Sequence, residues 1–315
     1  MKTVFIDGQS GTTGLEIFDR LKDRKDISLV EIDPNHRKDL DAKTKIINSV
    51  DLVILCLPDA AAIETTSLVS NKNVKVLDAS TAHRVHKDWI YGMPELNKVQ
   101  RNQIAKSGRV SNPGCYPTGF LLALNPLVEN GIVPNDYPVA VHAISGYSGG
   151  GKNLIEKFKQ RQKDKPNDPW TYRPYSLGLE HKHLPEMKKY AKLNQSPIFT
   201  PSVGDFERGM LVQIPLFTNR LKKKVNKEGI HQIWSEFYAN ETYVRVMDLE
   251  TNSYLEDGYL SALACNHTNY VDLFVFGNEE RLLLLARLDN LGKGASGAAV
   301  QNMNIMLGFF EKEGL

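Results

Sequence analysis

The chain has 315 residues, of which 41% are hydrophobic and 24% are charged. This composition is typical of a globular protein with room for two domains, and it excludes the disordered and fibrous classes. The formal net charge of +2 is too small to indicate a nucleic-acid partner.

The three cysteines, Cys56, Cys115 and Cys265, are widely spaced and form no CxxC pair. This pattern indicates neither a disulfide framework nor a zinc site, so we predict reduced thiols and no bound metal. The N-terminus lacks a signal-peptide pattern, and no apolar run reaches membrane-spanning length. We therefore predict a cytoplasmic protein that binds neither nucleic acid nor membrane.

The first elements of the chain predict a dinucleotide site. A β-branched and aromatic run from Lys2 to Ile6 leads into a turn with three glycines and then into an amphipathic helix. Glycines let the backbone approach a pyrophosphate, and the start of the helix offers it N–H groups. The GxxGxxG spacing is a variant pattern, and an ordinary strand–helix turn is the alternative. The candidate cofactor contacts are Gly8, Ser10, Gly11, Thr12, Thr13 and Gly14.

The end of the second predicted strand, Ser28–Ile32, carries conflicting signals for the type of dinucleotide. Asp33 is an acidic residue at the place where such proteins hold the ribose 2′-hydroxyl of NAD, whereas Arg37 and Lys38 suit the 2′-phosphate of NADP. A solvated turn is the alternative for the two basic residues. The residues alone favour NADP only slightly, with Arg37 as the candidate contact.

Polar residues follow the predicted strand Val74–Leu77, among them Ser80 and Arg84. Strand ends of this kind face the ligand crevice in doubly wound sheets. Ser80 and Arg84 are therefore candidate cofactor or substrate contacts, and helix capping is the alternative.

A loop of turn-forming residues, Ser111–Gly114, precedes Cys115 and an apolar run through Leu124. We predict that Cys115 lies in the first turn of a helix, where unpaired N–H groups and the helix dipole lower the pKa of a thiol. Cys115 is thus a candidate nucleophile. A buried structural cysteine is the alternative.

After Cys115 the pattern changes to strands of a second, largely antiparallel sheet. A glycine-rich loop ends at Lys152 and indicates either an anion contact or a flexible connector. His181 and His183 precede a predicted helix, and acid–base chemistry or anion contact is favoured because no third metal ligand accompanies them. The predicted strands include Ile198–Thr200, Gly209–Phe217, Tyr243–Met247, Ala262–Thr268 and Leu273–Gly277.

Five motifs together resemble the N-acetyl-gamma-glutamyl-phosphate reductase family, and the resemblance runs nearly from end to end. The segment around Cys115 is the most specific of them. The chain is similar to a short, second type of the family, in which Ser202 follows Thr200-Pro201 where the longer type has a histidine. The motifs are GxxGxxG at 8–14, YGMPEL at 91–96, SNPGCYPT at 111–118, HxHxPE at 181–186 and DNLGKGASG at 289–297.

The resemblance implies an enzyme of arginine biosynthesis, related to aspartate-semialdehyde dehydrogenase, that reduces N-acetyl-glutamyl 5-phosphate with NADPH through a Cys115 thioester. It shifts the acid–base role from Ser202 toward His181 or His183, and the choice between them stays open. The implied substrate contacts are Arg84, Asn112, Lys152, Glu186 and Arg208, and Asn290 joins the candidate cofactor contacts.

The expected fold is α/β, with an N-terminal Rossmann-type parallel-sheet domain and an α+β catalytic and dimerisation domain with a mainly antiparallel sheet. We place the NADP-binding domain at 1–114 together with a C-terminal helix in 289–315, and the catalytic and oligomerisation domain at 115–288. A homodimer or homotetramer is expected. Two alternatives remain, a related semialdehyde dehydrogenase and a non-catalytic NADP-binding redox sensor.

Overall fold

The computed structural model describes residues 1–36, 39–250 and 253–315. Its internal contacts divide the chain into two compact units, which we call unit 1 (1–114 and 295–315) and unit 2 (115–294). The predicted fold class is confirmed, because unit 1 contains a parallel sheet and unit 2 a mixed sheet that is mainly antiparallel. Across the described ranges, every helix is too short or too polar to cross a bilayer.

The strands are β1 Lys2–Asp7, β2 Ile27–Val30, β3 Leu52–Leu55, β4 Lys75–Asp78, β5 Ile90–Tyr91, β6 Arg109–Ser111, β7 Ala140–Gly146, β8 Tyr172–Pro174, β9 Ile198–Gly204, β10 Met210–Phe217, β11 Val244–Val246, β12 Leu255–Glu256, β13 Tyr259–Leu260, β14 Val271–Gly277 and β15 Arg281–Leu288. The α-helices are α1 Thr12–Leu21, α2 Leu40–Ile47, α3 Asp59–Ser67, α4 Gln100–Lys106, α5 Cys115–Glu129, α6 Gly151–Asp164, α7 Leu184–Tyr190, α8 Lys227–Phe237 and α9 Gly297–Leu307.

The sheet of unit 1 has the strand order β2-β1-β3-β4-β6-β5, and all of its pairs are parallel. The apolar side chains of β3 are fully buried, as expected when helices cover both faces of a parallel sheet. Because β2 and β3 lie on opposite sides of β1, the carboxyl ends of β1 and β3 form a topological switch point. Open α/β sheets bind their ligands at such a point.

The sheet of unit 2 has the order β11-β14-β15-β10-β7-β9-β8. The pairs β11–β14 and β7–β9 are parallel, and the others are antiparallel. Helix α5 packs on one face of this sheet, and a Cβ at Gly119 would lie only 2.9 Å from a methyl carbon of Val212. The sheet therefore supports the helix that begins at Cys115.

The predicted strand Ala262–Thr268 is wrong, because this segment forms consecutive turns. Its backbone N–H groups bond locally, from Asn266 to the Leu263 carbonyl and from Thr268 to the Cys265 carbonyl. The N–H of His267 donates instead to the Asp289 carboxylate at 2.8 Å. The β-branched and apolar residues indicated a strand, but a distant carboxylate and local turns satisfy the backbone.

Candidate active site

Cys115 is the first residue of α5, which confirms its predicted position at the start of a helix. Pro117 is tolerated in the first turn because proline lacks an N–H group that would need an intrahelical partner. A Cβ at Gly294 would lie 2.8 Å from the Cβ of Cys115, so glycine is required where this loop passes the cysteine. The thiol thus lies at the positive end of the helix dipole, which favours the thiolate.

A chain of hydrogen bonds leads from His181 past the cysteine helix to the sheet. The Nε2 atom of His181 is 3.4 Å from the Tyr175 hydroxyl, which donates to the Tyr116 hydroxyl at 3.1 Å. The Tyr116 hydroxyl donates in turn to the Ser202 carbonyl at 3.4 Å. A phenol both donates and accepts, so the contact between the Tyr175 hydroxyl and Nε2 of His181 is compatible with a proton on Nε2.

A backbone hydrogen bond identifies the tautomer of His181. The N–H group of His183 donates to Nδ1 of His181 at 3.1 Å, so Nδ1 is an acceptor and carries no proton. This contact therefore favours a neutral imidazole with its proton on Nε2. This tautomer makes Nε2 a hydrogen-bond donor toward a developing negative charge.

His183 lies beside His181 but has different surroundings. It is the N-cap residue of α7 and is only 5% exposed, whereas His181 is half-buried. The two rings are 4.7 Å apart, and both contact Tyr116, with ring distances of 5.8 Å for His181 and 5.9 Å for His183. The structure thus brings both predicted histidines to the residue that follows Cys115.

The two tyrosines remain protonated at neutral pH. Burial raises the pKa of Tyr116 well above its usual value, and the charges of Tyr175 and Cys115 raise it further. Burial also raises the pKa of Tyr175, and the Cys115 charge adds to that shift. Cys115 is therefore within electrostatic reach of both phenols, and both phenols act as hydrogen-bond donors.

Arg208 lies just before β10, and Asn290 lies just after β15. Its Nε atom is 3.5 Å from the Asp289 carboxylate, and its Nη1 donates to Nδ1 of His267 at 2.8 Å. Asn290 accepts from the Gly209 N–H at 2.9 Å and donates to the Ser148 hydroxyl at 2.9 Å. The contacts described for Asn290 join loops of unit 2, and its predicted cofactor contact stays a prediction.

The glycine turn of unit 1 fits the pyrophosphate of a dinucleotide. Gly8 has φ +89°, and a Cβ there would lie 2.3 Å from the Cys56 carbonyl oxygen at the switch point. A Cβ at Gly14 would lie 2.4 Å from the Gly8 carbonyl oxygen. Gly11 is the N-cap of α1 and has no side chain to cover the first N–H groups of the helix. Ser10, Thr12 and Thr13 lie in the same turn.

Residues predicted to contact ligands also fix the loops at the carboxyl ends of the strands. The Ser80 hydroxyl donates to the buried Asp78 carboxylate at 2.7 Å. Nε of Arg84 donates to the Asn112 carbonyl at 3.0 Å, and the Asn112 amide donates to the Ala295 carbonyl at 3.0 Å. Arg84 and Asn112 therefore order the segment that leads to Cys115.

Two further predicted residues, Lys152 and Glu186, lie in other helices, and a third lies outside the described part of the chain. The side chain of Lys152 is 75% exposed and lies 4.0 Å from Glu156 in α6. Glu186 is 1% exposed in the first turn of α7. The predicted NADP contact Arg37, with its neighbour Lys38, lies outside the described residues. These substrate and cofactor contacts stay predictions.

The other two cysteines are poor nucleophiles. Burial, with the charges of Asp78 and Asp7, raises the pKa of the Cys56 thiol to about 12. Burial likewise raises the pKa of Cys265 to about 12, and its thiol donates to Asp272 at 3.2 Å. The sequence predicts that all three thiols are reduced. The structure adds that the pKa values of the Cys56 and Cys265 thiols are raised.

We expect a limiting amount of iodoacetamide at about pH 7.5 to modify Cys115 first, because the alkylation rate follows the thiolate fraction. Peptide mass spectrometry locates the label, and denatured protein, in which all three thiols react, is the control. Labelling of Cys56 or Cys265 before Cys115 in the folded chain would contradict this order.

The chain matches two family models in sequence order. Residues 3–106 match the semialdehyde dehydrogenase NAD binding domain, and residues 115–290 match the semialdehyde dehydrogenase dimerisation domain. The dinucleotide turn of unit 1 lies in the first match, and Cys115 is the first residue of the second. A nicotinamide-dinucleotide domain is therefore present.

Curated relatives match over nearly the whole chain. N-acetyl-gamma-glutamyl-phosphate reductase 2 of Nostoc sp. is 53% identical over 318 residues, with 99% of this chain and 98% of the relative covered. N-acetyl-gamma-glutamyl-phosphate reductase of Brucella ovis is 46% identical, with 97% and 98% covered.

Solved structures show the same fold at low identity. Aspartate semialdehyde dehydrogenase II of Vibrio cholerae superposes with a TM-score of 0.72 at 14% identity, covering 98% of both chains. Aspartate semialdehyde dehydrogenase of Candida albicans gives a TM-score of 0.65 at 14% identity, with 98% of this chain and 99% of that chain covered. Together with the closer sequence matches, these comparisons show that the chain belongs to the N-acetyl-gamma-glutamyl-phosphate reductase family of semialdehyde dehydrogenases.

Proposed function

We propose that the chain is an oxidoreductase of arginine biosynthesis that reduces N-acetyl-L-glutamyl 5-phosphate to N-acetyl-L-glutamate 5-semialdehyde and phosphate with NADPH. The observation that carries this proposal is Cys115 at the start of a helix, followed by a tyrosine in contact with His181. The names of the relatives give the substrate, because 46–53% identity extends over nearly the full chain.

The reaction begins at Cys115. Its thiolate attacks the acyl carbon, the bond from that carbon to the phosphate oxygen breaks, and a thioester forms. The proton that the overall reaction consumes leaves with the phosphate. Because the helix start favours the thiolate, this step does not depend on a base that lies beside the sulfur.

The nicotinamide, when bound, supplies the hydride that reduces the thioester carbon. The resulting thiohemiacetal on Cys115 collapses when its carbon–sulfur bond breaks, which releases the aldehyde and restores the thiolate. We assign to Nε2–H of His181 the hydrogen bond that stabilises the oxyanion before collapse, in place of its contact with Tyr175, because the His183 N–H occupies Nδ1 and leaves the ring proton on Nε2. His183 has a supporting role, since its backbone N–H holds Nδ1 of His181.

Anionic groups of the substrate require fixed donors. We assign them to Arg208, which is held by Asp289 and His267, and to Arg84, which also orders the segment before Cys115. Asn112, Lys152 and Glu186 remain candidate substrate contacts. The choice of NADP over NAD is supported chiefly by the resemblance to the family, and only slightly by Arg37 and Lys38, because Asp33 gives the opposite signal. Gly8 to Gly14 supply the pyrophosphate site, with Ser80 and Asn290 as further candidate contacts.

We also propose a cytoplasmic homodimer or homotetramer assembled through unit 2. The match to a dimerisation domain supports this, and so does the face of β10 that carries half-buried Leu211 and Gln213 and exposed Phe217. A sheet face with partly exposed apolar residues is suited to cover by a second copy of the chain.

The activity is tested in the oxidative direction, with N-acetyl-L-glutamate 5-semialdehyde, phosphate and NADP. We expect phosphate-dependent NADPH formation, with kcat/KM roughly 100-fold above that for aspartate semialdehyde and also higher with NADP than with NAD. Faster turnover of aspartate semialdehyde would instead support the related dehydrogenase. Binding of NADPH without turnover of either aldehyde would support the redox sensor.

A further inference from the structure

Arg208 is held on two sides by residues of neighbouring loops. Its Nε atom is 3.5 Å from the carboxylate of Asp289, which is fully buried. Its Nη1 atom is 2.8 Å from Nδ1 of His267. Because a guanidinium can only donate, Nδ1 of His267 accepts this hydrogen bond and its ring proton is on Nε2.

His267 adopts a backbone conformation that most residues avoid. Its φ is +62°, in the left-handed region, where histidine, asparagine and aspartate occur more often than other non-glycine residues. Its N–H donates to Asp289 at 2.8 Å, and the preceding Asn266 donates its side-chain amide to the Arg208 carbonyl at 3.0 Å. The turn that carries His267 is therefore hydrogen-bonded to both Asp289 and Arg208.

The cluster of Arg208, Asp289 and His267 is adjacent to Cys115 within unit 2. The Asp289 carbonyl accepts from the Gly294 N–H at 3.0 Å, and a Cβ at Gly294 would lie 2.8 Å from that of Cys115. The Arg208 side chain is 15% exposed. An arginine so placed is suited to an oxyanion of the molecule that reacts at Cys115.

We propose that His267 is a positioning residue for Arg208, which it holds in one orientation for an oxyanion of the substrate, either the carboxylate or the phosphate. This rests on the proposed function. Asp289 pairs with Arg208 and also accepts the His267 N–H. The imidazole accepts from Arg208 as a neutral group, so it fixes the orientation of the guanidinium without adding a second negative charge. A lysine or arginine at position 267 would repel Arg208, and glycine would leave its Nη1 without this acceptor.

The test uses two substitutions that both tolerate the left-handed backbone. His267→Gly removes the acceptor, whereas His267→Asn retains a side-chain oxygen that can accept from Arg208. We expect His267→Gly to raise one KM about tenfold, as for a lost hydrogen bond to a charged group, with kcat changed much less. His267→Asn should restore most of that loss. Asp257→Gly, at another exposed residue with positive φ of 50°, is the matched control and should leave both KM values unchanged.

The oxidative assay separates the two oxyanions, because the aldehyde carries the carboxylate and phosphate is a separate substrate. A higher KM for the aldehyde alone identifies the carboxylate as the ligand of Arg208, and a higher KM for phosphate alone identifies phosphate. Unchanged KM values in His267→Gly, or a loss that His267→Asn does not relieve, would overturn the proposal.

Calorimetry with N-acetyl-L-glutamate and with inorganic phosphate provides a readout that does not need turnover. Weaker binding of one of these ligands to His267→Gly, with recovery in His267→Asn, supports the positioning role even if the parent chain proves inactive, in which case only the proposed function fails. Binding that is equal in the parent and both variants would refute the positioning role while leaving the proposed function intact.

Discussion

Replacing Cys115 with serine is expected to lower kcat at least about 10⁴-fold, because a serine hydroxyl is a far weaker nucleophile than a thiolate. The measurement is phosphate-dependent NADP reduction with N-acetyl-L-glutamate 5-semialdehyde. Burst kinetics with the acyl phosphate give a second readout, because the parent should release phosphate on forming the thioester and the variant should not.

Two controls separate the loss of the nucleophile from damage to the protein. Cys115→Ser should bind NADPH like the parent, since the glycine turn lies in unit 1, and its thermal midpoint should be nearly unchanged. Cys265→Ser is the matched substitution, because serine retains the hydrogen bond to Asp272 and the residue is assigned no chemical role. Full activity of Cys115→Ser would exclude the thioester, whereas inactivity of Cys265→Ser would point to a structural cause.

The features that the sequence predicts best are those that depend on neighbouring residues. Turn formers before Cys115 and the apolar run after it identify the helix start, and both lie within ten residues of the cysteine. The glycines at 8, 11 and 14 are likewise a local requirement, since the Gly14 position is limited by the Gly8 carbonyl. Helix-start and glycine-turn patterns of this kind depend on nearby residues alone, so the sequence is enough to identify them.

The surroundings of Cys115 depend on contacts between segments that are distant in the sequence. Local sequence patterns therefore do not predict them. Tyr175 reaches Tyr116 across 59 positions, and Tyr116 reaches the Ser202 carbonyl across 86. The sequence pattern concerns the Ser202 side chain, yet it is the Ser202 carbonyl that ends the hydrogen-bond chain. His267 lies in a predicted strand, but local turns and the distant Asp289 carboxylate accept the backbone N–H groups of this segment.

The choice between the two histidines likewise cannot be made from local sequence patterns. In the sequence, His181 and His183 are equivalent members of one HxH motif. The structure separates them, because the hydrogen bond from His183 to His181 comes from the backbone N–H, which a side-chain substitution retains. Side-chain substitutions at the two positions should therefore have different consequences.

We expect His181→Asn to lower kcat by roughly 10²- to 10³-fold and to remove the part of the pH–rate profile that belongs to this group. The shorter asparagine amide does not reach the place of Nε2. In His181→Gln the amide nitrogen lies near that place, so partial recovery of kcat without the pH dependence is expected if a hydrogen bond to the oxyanion is the main contribution. Steady-state rates from about pH 5.5 to 9 with a saturating aldehyde distinguish these outcomes.

His183→Asn is the matched control, because the backbone donor to Nδ1 of His181 is retained and the pH profile should keep its shape. Its ring is buried, so its thermal midpoint must be measured alongside the rate. If His183→Asn changes the pH profile and His181→Asn does not, the two roles are exchanged. If neither does, the proton on Nε2 does not act in the reaction, and the hydrogen-bond chain through Tyr175 and Tyr116 only supports the fold around Cys115.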